Sequence, residues 1–232
     1  MLPDEDPNPE LDIDELSPLL QMIAPKIICC RIHEYQPEDF EACVDIHRSN
    51  QPDFLKPDSL QAFVEFLQLG TSYFLVVEHE GETVACGGLE LVGDSDSATL
   101  VHLMVHGDYQ RRGYGSTLLT ACIALLDQED RPFDLWVNTP RAGTFFYRQY
   151  GFRQHPVSPD SPLFDRDSRH GDEAEDDDRP IMDRQRAALW LSINPQDIED
   201  ARALLEERSI RIELEDAVDL AEAEAAAEEE EE

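Results

Sequence analysis

The sequence predicts a single α+β domain built around one mixed, mostly antiparallel sheet with flanking helices. The chain has 232 residues, which is enough for one sizeable core plus extensions. Apolar runs with strand character and segments with helical periodicity follow in the order strand, two helices, three strands, helix, strand, helix, strand. The four residues from His79 to Glu82 carry a hairpin signal, so the first two of the three consecutive strands are antiparallel.

The N-terminal part of the chain predicts a tail followed by a strand and two helices. Residues 1–25 are rich in proline and acid and predict a disordered acidic tail, with a short helix around 16–23. Ile27 to Ile32 suits the first strand. Pro37 predicts the first turn of one helix, and 58–69, with helical spacing before a glycine, predicts the next.

The rest of the chain predicts the remaining core elements, an insertion and an extension. The core elements, in order, are strands at 73–78, 83–92 and 98–105, a helix at 116–126, a strand at 133–137, a helix at 141–150 and a strand at 152–157. Residues 158–186 are polar and acidic and predict an exposed insertion. Residues 187–214 predict a C-terminal strand, helix and strand of the same domain, and 215–232 predict a second disordered acidic tail.

The junction between the strand ending at Val105 and the helix starting at Ser116 carries the run Gln-Arg-Arg-Gly-Tyr-Gly, residues 110–115. A helix start leaves about four backbone N–H groups without partners and carries roughly half a positive charge. Glycines allow an anion to approach the backbone, and the two arginines add positive charge. The run therefore indicates a phosphate site, and the alternative is a loop that uses glycine only to turn.

Known phosphate motifs differ in how well they fit this run. A Walker loop needs a lysine before Ser116, and a dinucleotide fingerprint needs a third glycine; both are missing. The run resembles the Gln/Arg-x-x-Gly-x-Gly/Ala signature of the GNAT superfamily of acetyl-CoA-dependent N-acetyltransferases. The order of elements is similar to that of the family, and residues 145–152, Phe-Phe-Tyr-Arg-Gln-Tyr-Gly-Phe, resemble its second signature. The resemblance covers roughly residues 28–157, which places the acetyltransferase core at 26–157.

The resemblance implies acetyl-CoA as co-substrate and a set of residues that bind it. In this family the strand before the loop splays from its neighbour and offers its backbone to the pantetheine arm, and the loop holds the pyrophosphate. The residues implied to bind the coenzyme are Leu103, Met104, Val105, Arg111, Arg112, Gly113, Tyr114, Gly115, Ser116 and Asn138. Asn138 is included in this set because Pro140 replaces an asparagine that is common in the family. Asn138, two residues earlier, would have to take over the role of that asparagine. Gly107 also replaces a proline that is frequent at the strand end.

The resemblance also implies catalytic residues. Tyr147 matches the tyrosine that protonates the departing coenzyme A thiolate, although it could instead only pack beside Phe146, and Tyr150 is a second candidate. The base that deprotonates the substrate ammonium is expected to be Glu90 or His102, or an ordered water as in many relatives. By strand alternation His102 shares a face with Leu100 and Met104, so it could equally be a packed histidine.

The amino-acid composition limits which binding partners and which cellular compartment are expected. The formal net charge of −34 opposes binding to nucleic acid and to anionic membranes, and the acids concentrate in the two tails and the insertion. Five scattered cysteines without a Cys-x-x-Cys pair predict buried free thiols and no metal site. No signal peptide and no apolar run of roughly 20 residues is present, so we expect a cytoplasmic protein.

The sequence thus predicts an N-acetyltransferase that acts on a primary amine of a small molecule or peptide. The acidic run Asp172 to Asp178 favours a cationic acceptor, unless it only makes the protein more soluble. A non-catalytic acyl-CoA-binding regulatory module is the alternative, and an acidic mimic of nucleic acid is a third. The oligomeric state is open, with a homodimer among the expected forms.

Overall fold

The computed structural model describes residues 11–56, 58–69, 73–91, 97–126, 132–154 and 186–214. Within these ranges the strands are β1 Arg31–Glu34, β2 Tyr73–His79, β3 Glu82–Leu91, β4 Ser97–Val105, β5 Phe133–Pro140, β6 Arg153–Gln154, β7 Arg186–Ile193 and β8 Ile212–Glu213. The α-helices are α1 Pro18–Ile23, α2 Phe40–Ser49, α3 Ser59–Leu69, α4 Tyr114–Ala124, α5 Thr144–Arg148 and α6 Pro195–Glu207. The eight strands form one open sheet in the order β6-β7-β5-β4-β3-β2-β1-β8.

The sheet is mixed, as predicted. The pairs β4–β5 and β1–β8 are parallel, and the other neighbouring strands are antiparallel. β7 lies between β5 and β6 and pairs with β5 along all eight of its residues, from Phe133 opposite Ile193 to Pro140 opposite Arg186. The predicted C-terminal extension therefore supplies an internal strand next to the β6 edge and the strand β8 at the opposite edge.

Helices cover both faces of the sheet because alternate residues of its strands feed two apolar clusters. In β2, Leu75 and Val77 belong to the cluster around α4, whereas Phe74 and Val76 belong to the cluster around α2 and α3. α4 is buried on nearly every side, and α6 and α1 pack against it. Its first turn is therefore held rigidly at the end of β4.

The N-terminal segment is part of the core rather than a tail. Ser17 caps α1, because its hydroxyl accepts a hydrogen bond from the Leu20 N–H at 3.4 Å, and its own N–H donates to the Asp200 carboxylate at 2.6 Å. Leu20 and Ile23 are fully buried. The predicted disorder is thus wrong for residues 11–25, whereas the short helix predicted around 16–23 is present as α1. The first strand begins at Arg31 rather than Ile27. The remainder of that tail, the insertion up to residue 185 and the C-terminal tail lie outside the described residues.

A β-bulge interrupts β4 in its middle. The register with β3 shifts between Cys86 and Gly88, and His102 has a φ of +48°. Gly87 lies opposite the bulge, where a Cβ would stand 2.7 Å from the Leu103 Cα. The bulge reverses the side-chain alternation, so Leu100 packs in the α4 cluster and Met104 in the α2/α3 cluster. The prediction that His102 shares one face with both is therefore wrong.

Candidate active site

The two parallel strands in the centre of the sheet separate at one end. β4 and β5 pair from Ser97 opposite Asp134 to Leu100 opposite Val137, and no pairing follows although both strands continue. The gap opens into a cavity of about 820 Å³. Its wall comes from the end of β4, the loop before α4, the first turn of α4, the end of β5, α5 and residues 25–28.

The backbone at the end of β4 faces this gap at alternate residues. The His106 N–H donates to the Val84 carbonyl at 2.9 Å, and the next pair along the ladder is Val105 opposite Ala85. Antiparallel pairs alternate between bonded and non-bonded, so the N–H and C=O of Val105 point away from β3 and toward the gap. By the same alternation the backbone of Met104 is directed at β3. Of the predicted residues, Val105 thus offers its backbone to the gap, whereas Met104 lines the cavity with its backbone polar groups directed at β3.

Asn50 fixes the end of β4, and the sequence analysis missed it. Its side chain is buried, and Nδ2 donates to the Val105 carbonyl at 3.0 Å and to the Ile46 carbonyl at 2.8 Å. Its Oδ1 accepts a hydrogen bond from Gln110 Nε2 at 2.9 Å. This amide therefore joins the end of α2, the end of β4 and the first residue of the glycine-rich run. An isolated asparagine just after a helix has no spacing that would single it out.

The start of α4 has the geometry of an anion site. Gly113 is its N-cap with a φ of +106°, and its carbonyl accepts hydrogen bonds from the N–H groups of Ser116 at 2.8 Å and Thr117 at 3.0 Å. The N–H groups of Tyr114 and Gly115 precede these and have no acceptor within the helix. The side chains of Arg111 and Arg112 are exposed beside them. Positive charge and unused N–H groups thus coincide at one helix start.

The N-terminal segment crosses this helix start directly. The Ile28 N–H donates to Thr117 Oγ1 at 3.1 Å. A Cβ on Gly113 would stand 2.3 Å from the Lys26 carbonyl oxygen and 2.8 Å from the Ile28 side chain. Gly113 is therefore required both by its backbone conformation and by the close approach of residues 26–28. Lys26 also lines the cavity, a position that no sequence motif indicated.

Two tyrosines from the second signature line the cavity. Tyr147 is buried and its ring packs edge-on against Phe146 and Phe152, with ring centroids 5.0 and 5.3 Å away. Burial raises the pKa of Tyr147 above its ordinary value of 10, so its phenol stays protonated at physiological pH and can donate a hydrogen bond. The Tyr150 hydroxyl lies 2.7 Å from Ser116 Oγ.

The structure brings most of the predicted coenzyme residues to the cavity and leaves four predicted site residues, Glu90, His102, Tyr114 and Asn138, outside its wall. The predicted residues that line it are Leu103, Met104, Val105, Arg111, Arg112, Gly113, Gly115, Ser116 and Tyr147. Glu90 pairs with Thr99, at the other end of β4 from Val105. His102 is exposed beside Phe63 and Phe66.

The end of β5 lines the cavity without Asn138, the residue predicted to bind the coenzyme from this strand. Asn138 is exposed and does not line the cavity, whereas Thr139 and Pro140 do. Pro140, which stands where the family commonly has an asparagine, therefore lines the cavity, and Asn138 lies outside the cavity wall.

The described residues were also searched for a metal site and for a membrane-spanning helix. No group of three or more histidine, cysteine, aspartate or glutamate side chains there is arranged to hold a metal ion. No helix among those residues is long and apolar enough to cross a membrane.

Comparison with known proteins identifies a family domain and a shared fold. Residues 70–154 match the model of the acetyltransferase (GNAT) domain. No curated protein sequence matches the chain.

Solved structures with the same fold include the N-acetylglutamate synthase of Neisseria gonorrhoeae with coenzyme A and N-acetyl-glutamate. It is 17% identical with a TM-score of 0.50, and the match covers 72% of this chain but 36% of that one. The PaiA N-acetyltransferase of Thermoplasma acidophilum with coenzyme A is 12% identical with a TM-score of 0.51, over 71% of this chain and 99% of the other. A GNAT-family acetyltransferase of Staphylococcus aureus is 18% identical with a TM-score of 0.51, over 71% and 99%. At these identities the likeness shows the fold alone.

Proposed function

We propose that the chain, whose residues 70–154 match the acetyltransferase (GNAT) domain, belongs to the GNAT superfamily and transfers the acetyl group of acetyl-CoA to a primary amine. One observation carries the proposal. The cavity between β4 and β5 brings together an anion-binding helix start, the Val105 backbone N–H of β4, which points away from β3, and the buried phenol of Tyr147. Each part serves one group of acetyl-CoA: the helix start binds the diphosphate, the β4 backbone binds the pantetheine arm and the phenol stabilises the leaving thiolate.

The proposed coenzyme position follows from the backbone. The diphosphate binds the N–H groups of Tyr114 and Gly115 at the start of α4, with Arg111 and Arg112 at its solvent side. The pantetheine amides pair with Val105 as an additional strand would, because β5 has already separated there. The thioester then lies between β4 and α5.

The proposed chemistry follows from where Tyr147 lies. The amine nitrogen attacks the thioester carbonyl, the tetrahedral intermediate collapses and the carbon–sulfur bond breaks. Tyr147 donates a hydrogen bond to the departing thiolate, which its phenol can do because burial keeps it protonated. We assign the proton from the ammonium to an ordered water, since neither Glu90 nor His102 lines the cavity.

We further propose a cationic acceptor. The connection between β6 and β7 contains the run Asp172 to Asp178, in which six of seven residues are acidic. It rejoins the sheet at Arg186, opposite Pro140, and Pro140 lines the cavity. A negative run tied to the edge of the site would raise the local concentration of a cationic amine.

Deleting Asp172 to Asp178 tests this proposal. The KM for a cationic amine should rise at low salt and the difference should shrink at high salt, because screening removes a long-range attraction. An unchanged KM at low salt would mean that the run serves only solubility.

A second function is favoured by one observation. Pro140 stands at the cavity wall where the family commonly has an asparagine, and Asn138 does not replace it. This favours a non-catalytic module that binds acyl-CoA and regulates a partner.

Thiol release with a panel of amines, combined with calorimetry of acetyl-CoA binding, separates the two functions. The enzyme proposal predicts turnover that Tyr147→Phe reduces, while Tyr73→Phe, an exposed tyrosine outside the cavity wall, has no effect. Binding without turnover of any amine would support the module instead.

A further inference from the structure

We propose that Lys26 is an additional binding residue for the coenzyme diphosphate, supplied by the segment before β1; the inference rests on the proposed function. Neither GNAT signature in the sequence includes this residue. Lys26 is one of only two lysines in the chain, and it lines the cavity.

The lysine ammonium is held close to the start of α4. Lys26 Nζ donates to Tyr150 Oη at 3.2 Å and to Gln149 Oε1 at 3.2 Å, and it lies 4.5 Å from the centre of the Tyr150 ring. The Tyr150 hydroxyl in turn lies 2.7 Å from Ser116 Oγ, in the first turn of α4. The ammonium is therefore two hydrogen bonds away from the helix turn that is proposed to bind the diphosphate.

Among the residues that the structure describes, no carboxylate balances the charge of Lys26. Both hydrogen-bond acceptors are neutral, and across the described ranges no aspartate or glutamate forms an ion pair with it. This is unusual in a chain with 52 acidic and 18 basic residues. A half-buried ammonium has three N–H groups, of which two are used, so one donor and a full charge are available to an anion in the cavity.

The position of Lys26 is fixed from both sides. Its carbonyl packs against Gly113, and the Ile28 N–H is bonded to Thr117, so the segment is anchored on the loop and on α4. Upstream, α1 is anchored by the buried Leu20 and by the bond from Ser17 to Asp200. An ammonium held in place by its own backbone loses little further freedom when it binds a phosphate.

Calorimetry of coenzyme A binding at low and at physiological salt tests the proposal. Lys26→Met keeps the aliphatic stem and removes the charge, and it should weaken binding by about tenfold to a hundredfold, the range for a hydrogen bond to a charged group. Lys26→Arg keeps the charge and should lose less. Arg48→Met removes one positive charge from an exposed site outside the cavity wall and should leave the affinity unchanged. Thermal melts of all variants check that each is folded.

Two further ligands identify the phosphate. The loss for Lys26→Met should be equally large with 3′-dephospho-coenzyme A, which keeps the diphosphate, and absent with pantetheine, which has no phosphate. A loss with coenzyme A but not with the dephospho form would overturn the assignment to the diphosphate. Wild-type affinity in Lys26→Met, or an equal loss in Lys26→Arg, would overturn the role of the charge while leaving the proposed function intact. Failure of the wild type to bind any of the ligands would instead refute the proposed function.

Discussion

Replacing Gly113 by alanine tests whether the loop and the N-terminal segment form one site. The backbone of Gly113 has a φ of +106°, a conformation that costs an L-residue about 1–2 kcal/mol. The new Cβ would also stand 2.3 Å from the Lys26 carbonyl oxygen, and backbone atoms cannot yield as a flexible side chain can. Overpacking of this kind costs about 1–3 kcal/mol in addition.

Gly81 offers a matched control. Its φ is +83°, and a Cβ there would meet nothing within 4 Å. Gly81→Ala should therefore show only the conformational cost, and Gly113→Ala should melt about 2–12 °C lower than Gly81→Ala in a calorimetric scan. The difference between the two variants isolates the contact between the loop and residues 26–28.

The affinity for coenzyme A is a second measurement that compares Gly113→Ala with Gly81→Ala. Gly113→Ala should bind coenzyme A at least about tenfold more weakly, because moving the N-cap displaces the N–H groups that face the anion. Gly81→Ala should bind like the wild type. The reasoning is refuted if Gly113→Ala keeps wild-type affinity, or if both variants lose affinity and stability equally.

Three further outcomes are expected. Tyr147→Phe should lower kcat by about a hundredfold or more in the thiol-release assay. Burial raises the pKa of Tyr147 above 10, so ionisation of its phenol removes no activity below pH 10. The pH profiles of the wild type and of Tyr147→Phe should therefore have the same shape. Asn50→Ala should lower the free energy of unfolding by about 1–3 kcal/mol in urea titrations, because the Val105 carbonyl loses a buried donor; an unchanged midpoint would contradict this. In native alkylation followed by mass spectrometry, exposed Cys29 should react quickly, whereas Cys122, whose pKa burial raises to about 12, should react only after unfolding.

Much of the fold could be predicted because its signals are local. The periodicity of the segments from Tyr73 to Leu126 follows from alternating or helical burial, and the structure places three strands and a buried helix there. The glycine-rich run was informative because the required backbone conformation and the exposed N–H groups belong to adjacent residues. Tyr147 could be found because its spacing from Gly151 and Phe152 is a short-range pattern.

The errors and omissions concern features that depend on distant parts of the chain. The bulge at His102 depends on the close approach of β3 and β4 at Gly87, so simple alternation assigned the wrong face. The short helix α1 was predicted, but its packing on α4 and α6, which makes it part of the core, is not revealed by the proline-rich and acidic sequence around it. Asn50 and Lys26 act through contacts with residues more than 50 positions away, and single side chains of this kind leave no sequence pattern.

A crystal structure with acetyl-CoA bound would show directly whether the coenzyme occupies the gap between β4 and β5. We expect the diphosphate within hydrogen-bond distance of the N–H groups of Tyr114 and Gly115, and the pantetheine arm paired with the backbone of Val105. We also expect the sulfur beside the Tyr147 hydroxyl. Coenzyme bound outside the gap between β4 and β5, or a diphosphate away from the start of α4, would contradict the proposed coenzyme position.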